Sequence, residues 1–274
     1  MKKNLSTIIL VLILLIGLSL LLYPTVSDWW NSFHQTRAIA NYEEIMANIS
    51  DEDYSHLFAD ALEYNRQLAA MDYPLMYYEE VSGYYDLLDV TGNGIMGYIN
   101  IEKINVSLPI YHGTSEGVLQ IAVGHVEGSS LPTGGEGTHC VLSAHRGLPS
   151  ARLFTDLDKM EVGDTFVMTV IDRTLTYRVD QILIVEPHEV DALYAVDGQD
   201  YCTLVTCTPY GVNSHRMLVR GTRVENQKQI RDIRVTADAA IIEPVLVAPF
   251  VAAPMLLVMF ILLMMPKRKN NREE

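Results

Sequence analysis

The chain has 274 residues, of which 49% are hydrophobic and 20% charged, and its net charge is −14. This balance argues strongly against nucleic-acid binding, which needs clustered positive charge. The three cysteines, Cys140, Cys202 and Cys207, leave at least one thiol unpaired, so a disulfide framework is not expected.

Two apolar stretches lie near the ends of the chain. Residues 5–23 and 243–265 each come close to the roughly 20 residues that a membrane-spanning helix needs. Lysine and arginine flank the outer side of each stretch, so the positive-inside rule predicts two spans with both termini in the cytoplasm. A cleaved signal peptide is the alternative for the first stretch. No small-x-small cleavage site follows it, however, and Trp29 and Trp30 fit an interfacial belt.

The two spans divide the chain and leave an extracellular region between them. Without six basic and three acidic residues assigned to the ends, 14 basic and 31 acidic residues remain, a net charge near −17. Such a charge favours solubility and repulsion from anionic surfaces. The predicted division is a cytoplasmic N-terminus (1–4), a membrane helix (5–23), a helical extension ending in a loop (24–95), a β-rich domain (96–224), a juxtamembrane segment (225–242), a membrane helix (243–265) and a basic cytoplasmic tail (266–274).

A helical pattern covers about residues 34–70. Apolar residues recur at helical spacing from Ala38 to Ile49 and, after a break, from Leu57 to Leu68. Ser50, with Asp53 three residues later, resembles an N-terminal cap for the second helix. A loop rich in Tyr, Asp and Gly follows at about 71–94. The pattern therefore predicts a two-helix extension between the first span and the next domain.

From Gly97 onwards the chain alternates between short strand-like runs and turns. Asp172 and Arg173, between two such runs, predict a tight hairpin turn. This density of strands over about 130 residues predicts one closed β-barrel or sandwich with a single core. The predicted strands are 96–101, 104–110, 138–144, 165–171, 174–185, 202–207 and 215–224.

Three residues at or near the ends of these runs carry chemistry. Cys207 ends a β-branched run, Arg216 returns nine residues later on the next run, and His145 ends an upstream apolar run. A thiol, an imidazole and a guanidinium can act as nucleophile, general acid–base and oxyanion stabiliser. A cation beside the sulfur favours the thiolate, which is the nucleophilic form of cysteine. The three residues together predict cysteine-based acyl transfer.

The other two cysteines fit structural positions better. Cys202 and Cys207 are five residues apart on one run and so face opposite sides, and Cys140 and His145 show the same spacing. Cys140 and Cys202 are therefore expected as small buried residues, and a disulfide between them stays open. No C-x-x-C or H-x-x-x-H spacing occurs, so no metal and no cofactor are predicted.

One rival exists for the arginine role. Arg220 shares strand parity with Arg216, and only the proximity of Arg216 to Cys207 favours the latter. His215 adjoins Arg216 but should point to the opposite face of its strand. The histidines expected to have no catalytic role are His34, His56, His112, His125, His139, His188 and His215.

The segment T-L-V-T-C that ends at Cys207, with His145 before it and Arg216 after it, resembles the signature of the sortases. These are membrane-anchored cysteine transpeptidases of Gram-positive bacteria. The resemblance extends over about Leu88–Val224, half of the chain, and the second apolar stretch also resembles the class C, pilus-polymerising branch. The motifs similar to that branch are MGYI (96–99), LPIYHG (108–113), GH (124–125), SLP (130–132), HRGLP (145–149), LFTDL (153–157) and CTPYG (207–211).

The resemblance implies a mainly β fold, a closed eight-stranded sortase-type barrel with an N-terminal helical extension and two transmembrane helices. It implies that Cys207 attacks the Thr–Gly carbonyl of an LPXTG-like sorting signal and holds a pilin as a thioacyl intermediate. A lysine of the next pilin then resolves this intermediate into an isopeptide bond. His145 serves as acid and base, and Arg216 as stabiliser. The implied partners are pilins or surface proteins with such signals and the lipid bilayer.

Many class C sortases carry a lid with an Asp-Pro-aromatic anchor upstream of the barrel. Here Asp72, Tyr73 and Pro74 hold similar residue types in a different order, so no lid residues are assigned, although the loop at 71–90 could cover Cys207. Two other functions stay open. One is a sortase that attaches surface proteins to cell-wall peptide, and the other is a non-catalytic scaffold that binds pilins.

Overall fold

The computed structural model describes residues 2–48 and 51–226, with side chains described for residues 7–48 and 55–226. The chain divides into two compact units, with a boundary between Ser27 and Asp28. The unit that begins at Asp28 contains the whole barrel and the helices that pack on it.

The first helix, α1, spans Lys2–Met46 and continues through Pro24. Among the described residues it is the one helix that is long and apolar enough to cross a membrane, with a mean hydropathy of 2.7 in a window that is not buried. An exposed apolar helix of this kind fits a membrane anchor or a signal sequence. The predicted second span at 243–265 lies outside the described residues, as does the predicted cap residue Ser50.

The helical extension predicted over 34–70 is confirmed. It consists of the end of α1 and a second helix, α2, at Asp51–Ala69. Tyr42 of α1 and Phe58 and Leu68 of α2 are almost fully buried in the same core as the barrel interior. This burial stabilises the helices, because short helices have little stability of their own in water.

A third, short helix, α3, spans Pro74–Tyr77 and lies directly against Gly128. A Cβ atom at Gly128 would stand 2.5 Å from the carbonyl oxygen of Pro74 and 2.7 Å from the Cα of Leu75. Gly128 also has a φ of +84°, which favours glycine. The close approach of the loop to the barrel therefore depends on glycine at this position.

Eight strands form a closed barrel in the order β1-β2-β3-β4-β7-β8-β6-β5, and β5 pairs with β1 to complete the circle. The β2–β3 and β4–β7 pairs are parallel and the others antiparallel. The closed eight-stranded barrel is confirmed, and the sandwich alternative is wrong. The strands are β1 (Ile95–Ile101), β2 (Val106–His112), β3 (Val123–His125), β4 (Thr138–Ser143), β5 (Thr165–Val170), β6 (Arg173–Val185), β7 (Asp200–Thr208) and β8 (His215–Val224), with a short helix α4 (Glu116–Leu119) before β3.

The sequence pattern does not predict β3. It has only three residues, all buried, and its central residue is Gly124. A Cβ atom there would stand 2.4 Å from the carbonyl oxygen of Gly113. The strand forms because β2 and β4 pair with it on both sides, and such tertiary pairing outweighs local preference.

The hairpin turn between β5 and β6 lies one residue earlier than predicted. Val170 pairs with Arg173, so the two loop residues are Ile171 and Asp172, and Arg173 belongs to β6. Ile171 has a φ of +56°, which is rare for a β-branched residue. Its backbone N–H donates to the hydroxyl of Tyr42 at 2.7 Å, and its side chain is buried. A contact with α1, remote in sequence, therefore holds the turn in a conformation that local sequence does not favour.

One buried hydroxyl offers a stability prediction. The Tyr64 Oη atom of α2 is the one buried side-chain nitrogen or oxygen of the described residues without a hydrogen-bond partner. Tyr64→Phe removes an unpaired polar atom, so we expect the free energy of unfolding to stay level or rise by up to ~1–3 kcal/mol. Urea denaturation measures this change.

Tyr84 is the matched control for that variant. Its hydroxyl contacts Nδ1 of His125 at 2.9 Å and accepts the backbone N–H of Gly113 at 3.0 Å. Tyr84→Phe leaves these groups unpaired and should cost ~1–3 kcal/mol. Equal destabilisation by the two variants would contradict the assignment of Tyr64 as unpaired.

Candidate active site

Cys207 lies on β7, one residue before the strand ends, and it pairs with Arg216 of β8 in the antiparallel register. Its neighbours on the strand, Thr206 and Thr208, are buried, whereas Cys207 is partly exposed. Cys202, five residues earlier, is fully buried. Strand alternation therefore presents one thiol to solvent beside a guanidinium-bearing residue, as predicted.

His145 follows β4, which runs parallel to β7. The last pair of this ladder is Ser143 with Val205, so two further steps along both chains lead to His145 and Cys207. Ala144 holds this alignment, because its N–H donates to Val205 O at 3.2 Å and its carbonyl accepts the Thr206 hydroxyl at 2.8 Å. The predicted histidine and the predicted nucleophile therefore occupy matching positions at the ends of two neighbouring parallel segments.

A carboxylate faces the His145 ring from a different element. Oε2 of Glu116, at the start of α4, lies 3.8 Å from Nε2 of His145. The His145 side chain is 27% exposed and that of Glu116 72%. The carboxylate therefore lies beside the ring and leaves it accessible, and solvent screens so exposed a pair.

Arg216 is held by the turn that joins β7 to β8. Its Nη1 donates to the backbone oxygens of Asn213 at 3.2 Å and His215 at 3.1 Å. No carboxylate of the described residues lies within ion-pair distance of it, so its remaining donors are available. A forked, permanently charged group with spare donors is suited to an oxyanion.

Arg220, the rival for the arginine role, already has partners. Arg220 makes two hydrogen bonds to the Asp180 carboxylate, at 3.1 and 2.9 Å, and its guanidinium carbon lies 4.2 Å from the ring centroid of Tyr201. In the β7–β8 register it pairs with Thr203, not with Cys207. These contacts favour Arg216 for the role next to the thiol.

Arg146 ties the His145 loop to the segment after Cys207. Its Nε donates to Thr155 O at 3.1 Å, its Nη1 to the Thr208 hydroxyl at 3.4 Å, and its Nη2 to Asp158 at 2.5 Å. Its side chain is only 8% exposed. One buried guanidinium therefore connects residues next to His145 and next to Cys207.

Known proteins match the part of the chain that forms most of the barrel. Residues 99–224 match the family model described as the sortase domain. Sortase D of Bacillus subtilis is 30% identical over 131 residues, which cover 47% of this chain and 63% of that protein. The chain thus matches less than two thirds of the length of the curated relatives.

Solved structures match more completely. Sortase C1 of Streptococcus agalactiae is 51% identical, with 70% of this chain and 100% of that chain covered and a TM-score of 0.66. Sortase C of Streptococcus pneumoniae is 41% identical, with 69% and 97% covered and a TM-score of 0.63. The chain belongs to the sortase family, in its class C branch.

The remaining histidines of the sortase barrel have structural partners. His139 contacts Tyr194 O at 3.0 Å and the Thr203 hydroxyl at 2.7 Å, and His112 contacts the Gly94 and Leu87 carbonyls. Burial lowers the pKa of both rings. Both are therefore suited to packing as neutral groups and not to proton transfer near neutral pH.

This burial gives a pH prediction for stability. An unfolded histidine titrates near pH 6.5, whereas the lowered pKa keeps folded His139 and His112 neutral at lower pH. The unfolded state then binds more protons, so the stabilisation is complete above about pH 6.5 and is lost as the pH falls, by up to ~1.4 kcal/mol per unit for each ring. Urea denaturation between about pH 7.5 and 5.5 measures this slope.

His139→Asn should reduce the slope, and a variant of an exposed histidine, His188→Gln, serves as the matched control. An unchanged slope in the His139 variant would contradict the account.

The disulfide left open between Cys140 and Cys202 is not formed in the structure. They lie directly opposite each other on the parallel strands β4 and β7, and both are buried and free in the structure. Burial raises the pKa of the Cys202 thiol, so it resists ionisation. Cys207 is therefore the one cysteine with access to a substrate.

The loop at 71–94 docks on another part of the sortase barrel. Tyr84 contacts His125, Tyr85 donates to Glu127 at 3.2 Å, and the Leu87 carbonyl contacts His112. Across the described residues, none of the loop's hydrogen bonds, ion pairs or ring contacts involves Cys207, His145 or Arg216. Cover of Cys207 by this loop stays a prediction.

Sequence reasoning did not single out Arg146 or Glu116. The partners of Arg146 lie 9 to 62 residues away, and Glu116 meets His145 only through folding of α4. The HRGLP motif drew attention to the loop but not to what its arginine contacts. Among the described residues, no group of three or more His, Cys, Asp or Glu side chains is arranged to hold a metal.

Proposed function

We propose that this sortase is a membrane-anchored cysteine transpeptidase that cleaves an LPXTG-like sorting signal between Thr and Gly and joins the pilin to a lysine of the next subunit. The observation that carries the proposal is the alignment of three residues: Cys207 lies opposite Arg216 in the β7–β8 register, and His145 follows β4, the parallel neighbour of β7. The description of the S. pneumoniae sortase C refers to pilin substrates, which supports the substrate class.

In the first half-reaction, the Cys207 thiolate attacks the carbonyl carbon of the threonine. The carbonyl oxygen becomes an oxyanion, and the free N–H groups of Arg216 stabilise it. As the C–N bond breaks, protonated His145 gives its proton to the leaving glycine amine. The products are a threonyl thioester on Cys207, a free glycine amine and a neutral imidazole.

In the second half-reaction, a lysine amine of the next pilin attacks the thioester carbon. His145 accepts the proton of this amine, the C–S bond breaks, and sulfur leaves as a thiolate. An amide bond joins the two pilins, and the enzyme regains its thiolate and imidazolium. The partly exposed ring of His145 suits both steps, because it must reach two different amines.

We also propose that the protein lies in the cell membrane, with spans at 5–23 and 243–265. Both termini are then cytoplasmic and the barrel is extracellular. The exposed apolar window of α1 supports an anchor, and the basic residues outside both stretches support the orientation. Protease treatment of intact cells should cleave a tag inserted at the exposed turn residue Gly198 but not a tag after Glu274.

The decisive experiment offers the full chain in detergent micelles an LPXTG peptide with two competing amines. One is a pilin peptide that contains a lysine, and the other is a wall-type peptide amine. Mass spectrometry should detect the isopeptide product with the pilin lysine and, after acid quench, a thioester on Cys207.

The two alternatives give different results. Sole use of the wall amine would support cell-wall anchoring of surface proteins and contradict pilin polymerisation. Binding of the peptide without cleavage, together with normal pili in cells that carry Cys207→Ala, would support a non-catalytic scaffold.

A further inference from the structure

Three polar residues of α1 bond the barrel through one face of the helix. Asp28 Oδ1 accepts the backbone N–H of Arg152 at 2.8 Å, Asn31 Nδ2 donates to Ser150 O at 2.8 Å, and Gln35 Nε2 donates to Ile121 O at 2.7 Å. Their spacing of i, i+3 and i+7 puts them on the same side of the helix. All three partners are main-chain atoms, so the contacts fix backbone position.

The first two contacts reach the loop that begins with His145. Leu148 and Ala151 form an isolated bridge near its tip, and Phe154 N–H donates back to His145 O at 3.1 Å at its base. The loop is therefore a small closed unit with His145 at one end and Ser150 and Arg152 at the other. Displacement of the tip should move the base.

The third contact reaches the other side of His145. The Ile121 N–H donates to Val118 O, so Ile121 closes the last turn of α4. The same short helix carries Glu116, whose carboxylate lies 3.8 Å from Nε2 of His145. One face of α1 is therefore bonded to both segments that surround the imidazole.

We propose that Asp28 and Asn31 are positioning residues for His145. From the part of α1 that follows its apolar segment, they hold the His145 loop in register with Cys207. This inference rests on the proposed acyl transfer for its effect on turnover. The hydrogen bonds are exposed or half-exposed and add little to global stability, so their loss should affect the alignment of His145 more than folding.

The test compares Asp28→Ala, Asn31→Ala and their double variant with Asn41→Ala, in the full chain in detergent. Asn41 is an exposed asparagine of the same helix and serves as matched control. We expect the double variant to lower kcat about 10-fold, with KM changed less than about 2-fold, because misplacement of a catalytic group affects the chemical step. Asp28→Asn keeps an oxygen that accepts the Arg152 N–H and should restore most of the activity.

A second measurement does not depend on turnover. The rate of Cys207 alkylation by iodoacetamide is followed against pH, since the two other cysteines are buried. The double variant should shift this profile toward that of His145→Ala, whereas Asn41→Ala should superimpose on the parent.

Failure of the parent chain to form an acyl-transfer product would contradict the proposed function alone. The positioning role is overturned if the double variant matches Asn41→Ala in its alkylation profile, or if Asp28→Asn loses as much activity as Asp28→Ala.

Discussion

Cys207→Ala is expected to abolish both thioester formation and transpeptidation, with a loss in kcat of at least ~10⁴-fold. Cys207 is the one thiol of the chain that is not buried, and it lies opposite Arg216 and in line with His145. Without sulfur no covalent intermediate can form, and a bound peptide has no nucleophile. Mass spectrometry of the acid-quenched enzyme and the rate of peptide cleavage measure the two losses.

Cys202→Ala is the matched control on the same strand. Its thiol is fully buried, so the variant should lose some stability but retain kcat per folded molecule. In cells, Cys207→Ala should remove the ladder of pilin polymers, whereas Cys202→Ala should retain it. A Cys207→Ala enzyme that still forms product would refute the assigned nucleophile.

Arg216→Ala has the second largest expected effect, a ~10²–10³-fold loss in kcat with a smaller change in KM. Its guanidinium is held by the carbonyls of Asn213 and His215 and has no carboxylate partner among the described residues, so its donors can serve a developing oxyanion. Arg216→Lys keeps the charge but not the planar fork, and we expect only partial recovery. Steady-state kinetics with an LPXTG peptide gives kcat and KM for the parent chain and for both variants.

Arg220→Ala is the control for the arginine role. It breaks the ion pair with Asp180 and the stacking on Tyr201, so it should lower the melting temperature but leave kcat nearly unchanged. The reverse pattern, with kcat lost in Arg220→Ala and retained in Arg216→Ala, would exchange the roles of the two residues.

Strands could be predicted where apolar runs are bounded by Gly, Pro or Asp residues. Seven of eight strands follow from apolar runs between Gly, Pro and Asp, and parity separates Cys202 from Cys207 because it is a local property of a strand. β3 could not be predicted, since three residues around Gly124 carry no pattern and only their two neighbouring strands make them a strand. The β5–β6 turn differs for a similar reason, because Tyr42 of α1 holds Ile171 at positive φ.

The candidate site divides in the same way. His145, Cys207 and Arg216 could be proposed because each has a reactive side chain at or near an end of a strand-like run. Arg146 and Glu116 could not, because their importance comes from partners brought close by folding. A single sequence shows which side chains are reactive. The contacts that position these side chains form only when the barrel closes.

The contact between α3 and Gly128 leaves no room for a methyl group at this glycine. Gly128→Ala would place a Cβ atom only 2.5 Å from the carbonyl oxygen of Pro74. The positive φ of residue 128 adds backbone strain for any residue other than glycine. The catalytic side chains are untouched by this change. The substitution would therefore displace α3 while Tyr84, Tyr85 and Leu87 keep their contacts with the barrel. It would give a comparison of the enzyme with this first part of the loop docked and undocked.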